Sequence, residues 1–179
     1  MRYVVVDVET TGMSVRRGGR VIEVGAVALE DGVIVAELDT LIDAGAPISY
    51  SAFRVHGISE AMLDGKPGPA QVWPRFSEFC AAAPLVAHNA SFDSSFVRFE
   101  LGLFGMGLPN PWCCTVRLAR RRLPHLRDHR LDTVYRHLFG ELPCGIQRHR
   151  ALDDARLAAR VWVALKGGFI TESINNINA

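Results

Sequence analysis

The sequence predicts a mixed α/β sandwich, in which a three-stranded antiparallel meander is followed by helices alternating with short strands. Three observations predict it. Residues 3–42 hold three apolar, valine-rich runs joined by connections too short to contain a helix. From Pro69 onward, apolar residues recur at helical spacing instead. A chain of 179 residues is also long enough for one such domain with its own core.

Residues 3–8 form a nearly unbroken run of valines, the pattern of a strand buried on both faces. Residues 20–29 make a second strand, and Glu30-Asp31-Gly32 turns the chain into a third over 33–42, giving a hairpin. The loop 13–19 cannot hold a helical crossover, so strands one and two are expected to be antiparallel as well. Val72, Phe76, Phe79 and Cys80 mark a helix over 69–82, and 84–88 reads as a short strand. Helical periodicity returns at 92–103, Thr115–Arg122, Leu131–Phe139 and Ala151–Leu165. The loops 64–69 and 108–111 are rich in proline and glycine but too short to separate domains. The chain therefore divides into one domain, residues 1–165, and a polar tail, 166–179, broken by Gly167-Gly168.

Composition excludes several classes. Hydrophobic residues at 49% and charged residues at 22% are ordinary for a soluble globular protein. The N-terminus meets Asp7 too early for a signal peptide, and no run approaches the roughly 18 apolar residues of a membrane span. The expected location is the cytoplasm. Cys80, Cys113, Cys114 and Cys144 have no Cys-x-x-Cys spacing, and two are adjacent, which suits neither zinc nor a disulfide framework. They read as reduced, mostly buried small hydrophobes. Net charge is +1, and Lys66 and Lys166 are the only lysines, so nearly all positive charge is arginine. Arginine grips phosphate with a two-pronged fork, although GC-rich coding produces the same bias.

Three stretches carry chemistry: Asp7-Val8-Glu9-Thr10-Thr11-Gly12, His88-Asn89-Ala90-Ser91-Phe92-Asp93 and His149-Arg150-Ala151-Leu152-Asp153-Asp154. Together they supply carboxylates and a histidine suited to hard divalent cations acting on a phosphodiester. Asp7 and Glu9 lie two apart at the end of the first strand, so both point to one face, roughly 7 Å apart. Carboxylates that close repel unless a cation sits between them. Thr10, Thr11 and Gly12 add hydroxyls and a permissive backbone where a substrate could approach.

Asp93 opens the helix after the strand 84–88, with Asn89 at the turn and Phe92 offering either an aromatic face for a base or core packing. If that strand runs parallel to the first, its C-terminal end lies beside Asp7, at the edge where open α/β sheets bind ligands. His149 and Asp154 are five apart, about 140° around a continuous helix. They share a cleft if His149 sits in the loop and Asp154 in the first turns of the helix. Asp153 would then face solvent or Arg150.

These motifs resemble the DEDDh branch of 3′–5′ exonucleases, the DnaQ-like family, most of all the proofreading epsilon subunits of bacterial DNA polymerase III. The resemblance runs over residues 2–165. It includes Arg20-Val21-Ile22-Glu23-Val24-Gly25-Ala26-Val27, Val55-His56-Gly57-Ile58-Ser59 and Leu131-Asp132-Thr133-Val134. It implies a ribonuclease H-like fold, a five-stranded sheet in the order 3-2-1-4-5 with strand 2 antiparallel. By the same resemblance, Asp7, Glu9, Asp93 and Asp154 hold two Mg²⁺ or Mn²⁺ ions and His149 is the general base. The terminal nucleotide contacts Thr10, Thr11, Gly12, His56, Asn89 and Phe92. One departure is Cys114-Thr115-Val116, where many relatives have Asp-Thr-Leu.

The implied activity is stepwise hydrolysis of the 3′-terminal phosphodiester of single-stranded or frayed DNA, releasing nucleoside 5′-monophosphates in proofreading or repair. The arginine-rich stretch Arg117, Arg120, Arg121, Arg122, Arg127 and Arg130 can follow a phosphate backbone or simply form a solvated face. RNA trimming of the oligoribonuclease or ribonuclease T kind is the alternative substrate reading, and a non-catalytic nucleic-acid-binding domain is the alternative class. A faint likeness of Asp7-Val8-Glu9-Thr10 to haloacid dehalogenase-type phosphatases lacks a suitably placed lysine. No clamp-binding motif is visible in 166–179, so a polymerase partner is unsupported, and no membrane partner is expected.

Overall fold

The computed structural model describes residues 1–167. Five strands, β1 (Arg2–Thr10), β2 (Val21–Glu30), β3 (Val33–Leu41), β4 (Leu85–Ala87) and β5 (Trp112–Cys114), form one sheet in the order β3-β2-β1-β4-β5. β2 is antiparallel to β1 and β3, whereas β4 runs parallel to β1 and β5 parallel to β4. This is the mixed ribonuclease H-like sheet. The helices are α1 (Tyr50–His56), α2 (Glu60–Leu63), α3 (Pro69–Cys80), α4 (Ala90–Gly102), α5 (Thr115–Arg122), α6 (Leu131–Phe139) and α7 (Ala151–Leu165).

The alternation of side chains along β1 divides the core into two layers. Val4, Val6 and Val8 pack with Trp73 and Phe76 of α3 and Phe96 and Val97 of α4. Val5 faces the other way, among Val134 and Tyr135 of α6 and Ala155, Ala158 and Trp162 of α7. Two buried carboxylates tie the layers to the sheet. Glu100 of α4 accepts bonds from both Nε and Nη2 of Arg20 (2.8 and 2.9 Å) and from the Val21 amide at 3.0 Å. Glu23 makes the matching attachment to α7, described below.

Several elements differ from expectation. β1 extends through Thr10, so Asp7 and Glu9 lie within the strand rather than at its end. The helices α1 and α2 and strand β5 had no clear periodic signal, being short. β5 is recognisable only by its pairing, Leu85↔Trp112 through Ala87↔Cys114. All four cysteines are free, but Cys80 alone is buried; Cys113 and Cys114 are half-buried and Cys144 is exposed. The expected polar tail falls, beyond Gly167, outside the described residues. Among the described residues, no helix is long and apolar enough to cross a membrane.

Candidate active site

Asp7 and Glu9 continue the face of β1 that carries Val5, the face covered by α7. Across the antiparallel ladder Asp7 is opposite Gly25 and Glu9 opposite Glu23. A bulge follows at once, because Thr10 pairs with Val21 and Ile22 is left as the extra residue on β2. Burial, then the charges of Asp93 and Glu9, holds the Asp7 carboxyl well above the ordinary range. Glu9 is pushed up to about 8, by burial first and then by Glu23 and Asp93. Such crowding favours whatever brings positive charge.

Asp93 comes from the first turn of α4 and is 3% exposed. Asn89 turns the chain into that helix with a left-handed φ of 75°, a conformation asparagine tolerates better than most residues. Its side chain accepts the Ser91 hydroxyl at 3.2 Å and makes no cap bond to the helix. Burial raises Asp93 to about 7, partly opposed by bonds from its own amide and that of Val8. The Val8 bond places Asp93 against β1, beyond the Val4↔Leu85 and Val5↔Val86 pairs that join β1 to β4. The parallel strand thus does what the sequence reading required of it.

His149 precedes α7 and Asp154 lies in its first turn. A ligating atom of each, together with a Glu9 oxygen, falls within 4.8 Å of the others. Five residues of separation are reconciled because His149 is not helical; its φ is 62°. Although His149 is exposed, partial desolvation and then the charge of Arg148 hold its imidazole below its ordinary pKa. Arg148 itself pairs with both Asp132 of α6 and Asp154. Asp153 accepts bonds from Arg156 at 3.0 Å and the Gln147 amide at 2.8 Å, and lies near enough to Arg150 for its charge to act there.

Arg150 reaches Glu23 instead. Glu23 Oε1 accepts Nε at 2.9 Å and Nη2 at 2.6 Å, and its Oε2 accepts the Ala151 amide at 3.0 Å. Two residues along β2, a Cβ on Gly25 would overlap the backbone of Ala151 and Leu152. Neither Glu23 nor Arg150 was singled out for a role from the sequence. The available signal was an acid inside an otherwise apolar central strand, which demands a partner.

The expected substrate contacts divide by accessibility. Thr10 and Thr11 are buried, with Thr10 Oγ1 donating to Gly12 O (2.9 Å) and Thr11 Oγ1 accepting the Arg20 amide (3.0 Å). His56 is buried too. Its Nδ1 accepts the Ile58 amide at 2.9 Å, which leaves Nε2–H to donate to Thr10 O at 3.2 Å. Both ring nitrogens are therefore used in holding the β1 end. Phe92 packs against Phe96 and the core, 4.9 Å between centroids. His88 buttresses the neighbouring loop: its Nδ1 meets Thr115 Oγ1 at 2.7 Å and its Nε2 donates to His129 O at 3.0 Å. The six arginines of α5 and the loop 123–130 are all exposed.

Carboxylate oxygens and one imidazole, with no thiolate, form a donor set for a hard divalent cation. Burial and then neighbouring carboxylates raise Asp7 and Glu9, and burial raises Asp93; a cation at this place would oppose all three shifts. The residues fit the group.

Comparison with known proteins agrees with this geometry. A family model described as Exonuclease matches residues 4–162. A PolC-type DNA polymerase III from Clostridium perfringens is 41% identical over 159 residues, 89% of this chain but 11% of that protein. A DNA polymerase III subunit epsilon-like protein from Rhodobacter capsulatus is 37% identical over 167 residues, 92% of this chain and 24% of the relative. The chain thus spans a small part of these relatives. Among solved structures, exonuclease X in complex with 5′ overhanging duplex DNA is 32% identical with a TM-score of 0.76, covering 92% of this chain and 91% of that one. The nuclease domain of 3′hExo, a DEDDh family member bound to rAMP, shares the fold at 16% identity and a TM-score of 0.77, covering 98% and 96% of the two chains.

Proposed function

Because the chain belongs to the exonuclease family matched over residues 4–162, we propose that it removes nucleotides stepwise from the 3′ end of single-stranded or frayed DNA. The products are nucleoside 5′-monophosphates. The observation that carries this reading is the meeting of Glu9, His149 and Asp154 within 4.8 Å, with Asp7 on the same strand face and Asp93 against Val8.

Asp7, Glu9, Asp93 and Asp154 would hold two Mg²⁺ or Mn²⁺ ions, which supply activation of water and stabilisation of the leaving oxygen. The protein's own part is positional and acid–base. His149, held below its ordinary pKa, is neutral at neutral pH and takes a proton from the attacking water on a ring nitrogen. Arg148 places a guanidinium beside Asp154 and lowers the carboxyls of Asp7 and Glu9. His56, through Thr10 O, keeps the end of β1 in register for an incoming nucleotide at Thr10-Thr11-Gly12. The exposed arginines of α5 and the following loop are suited to phosphates further along the strand.

DNA is preferred as substrate because relatives above 30% identity include DNA polymerase III proteins and a DNA-bound exonuclease. A polymerase partner is consistent with two of these relatives and needs its own test. Matched DNA and RNA oligomers labelled at the 5′ end, incubated with Mg²⁺, test the reading. A descending ladder, faster on single strands and mismatched termini than on blunt duplex, is expected, since paired ends first cost a few kcal/mol of unpairing. A bulky 3′ block should stop it. Internal cuts, or digestion of a circular single strand, would mean an endonuclease; faster shortening of the RNA would reassign the substrate.

A further inference from the structure

We propose that Glu23 and Arg150 are positioning residues for His149 and Asp154, fixing the start of α7 on β2 and thereby the geometry of the carboxylate–imidazole cluster. The activity readout of this inference rests on the exonuclease reading; its metal-binding readout does not.

Glu23 is 1% exposed, in a strand whose other residues are apolar or glycine apart from the exposed Glu30 at its end. An ion pair this buried is a poor source of stability compared with apolar packing, but it specifies one arrangement of the groups that make it. Here the arrangement is the entry of α7. Arg150 occupies the N-cap position, which serine, threonine, aspartate or asparagine usually fills, and its side chain makes no cap bond. Glu23 stands in from a different element by accepting the Ala151 amide, one of the helix's otherwise unsatisfied donors. Glu23, Gly25 and Val27 share one face of β2. The first anchors the helix end, the second leaves room for its backbone, and the third packs in the layer of α7.

Both functional side chains hang from this anchor. Asp154 donates its amide to Arg150 O at 3.0 Å, so the first turn is built on Arg150. His149 is its immediate neighbour and holds a φ of 62°, costly for a non-glycine residue. The flanking arginines pin it from both sides, Arg148 to Asp132 and Arg150 to Glu23. Both Glu23 oxygens are committed to Arg150 and Ala151, which separates its task from that of Glu9 across the ladder.

The test uses Arg150→Ala, Arg150→Lys and Glu23→Gln. It reads kcat and KM on a 5′-labelled DNA oligomer, and the Mn²⁺ concentration giving half of the thermal upshift without substrate. Arg150→Ala is expected to lower kcat roughly 10–100-fold at unchanged KM, and to raise the Mn²⁺ midpoint. Methylguanidinium should restore much of the kcat in Arg150→Ala and none in Glu23→Gln. If Arg150→Ala does not fold, Arg150→Lys and Glu23→Gln carry the kcat and Mn²⁺ readouts. Parent-like kcat and Mn²⁺ midpoint in the folded variants would overturn the proposal. So would a loss in Arg150→Ala that follows the metal-free melting temperature and ignores methylguanidinium. If the parent cuts no DNA yet the variants shift the Mn²⁺ midpoint, the exonuclease reading fails and the positioning role stands.

Discussion

Glu9 and Glu23 stand directly opposite one another across the β1–β2 ladder, and the protein treats the two carboxylates differently. Glu23 is paired with Arg150, whereas Glu9 has no such partner bond among the described residues and is pushed up to about 8 by burial first and then by the charge of Glu23. The same strand face carries Asp7, so the cluster in the absence of metal is a place of stored repulsion.

Asp7→Asn is therefore expected to abolish hydrolysis and to raise the melting temperature measured without metal. It removes a buried carboxyl whose ionisation is resisted by burial, Asp93 and Glu9. Scanning fluorimetry at pH 8, with chelator and then with Mg²⁺, measures both sides. The variant should exceed the parent in chelator and lose the parent's Mg²⁺-dependent upshift. Near-parent nuclease activity in Asp7→Asn would refute the metal-centred mechanism.

The same carboxyls set the pH dependence of stability. In the unfolded chain they ionise near pH 4, while in the folded protein Glu9 retains its proton up to about 8 and Asp93 up to about 7. Over that span the folded state binds more protons, so stability falls as pH rises. His56, His88 and His149 act oppositely, being held below their ordinary value by desolvation, but only below about pH 6.5, where the unfolded imidazoles protonate. Between about pH 6.5 and 8 the carboxyls act without that opposition. Metal-free melting temperature should decline through this window, and less steeply in Asp93→Asn, where Glu9 and Asp7 still titrate; a rising curve would contradict the assignment.

His149→Gln should leave the Mn²⁺-induced upshift largely in place while lowering kcat by roughly 10²–10⁴. Since partial desolvation and Arg148 depress the imidazole pKa, the acid limb of the parent's rate profile should lie below about pH 6.5. That limb should vanish in the variant. An unchanged rate in His149→Gln would remove the histidine from the chemistry.

The departure at Cys114 has a local consequence. Cys114 is the N-cap of α5, extended in backbone, and makes no side-chain cap bond. Cys114→Asp should supply the missing acceptor and stabilise the fold by about 1 kcal/mol. Urea titration at constant slope would measure it, and activity should not change, because the cap lies outside the carboxylate cluster. A destabilised variant would mean that the half-buried site resists charge more than the helix rewards it.

Local pattern alone determined a great deal. The valine run and the hairpin turn implied the meander, and helical spacing located α3 to α7, because these are periodicities that neighbouring residues impose on one another. The two-residue spacing of Asp7 and Glu9 put them on one face for the same reason. Tertiary structure decided the rest. The short α1, α2 and β5 exist through packing and pairing rather than through their own pattern. The commitment of both His56 ring nitrogens to the backbone around β1 is likewise visible only in the fold; the sequence offered the residue as a substrate contact by resemblance alone. Glu23 and Arg150 lie 127 positions apart, and no local rule connects them. Their pairing is a consequence of burial: a carboxylate carried into the sheet by its strand must find a cation, and the chain that passes over Gly25 brings one.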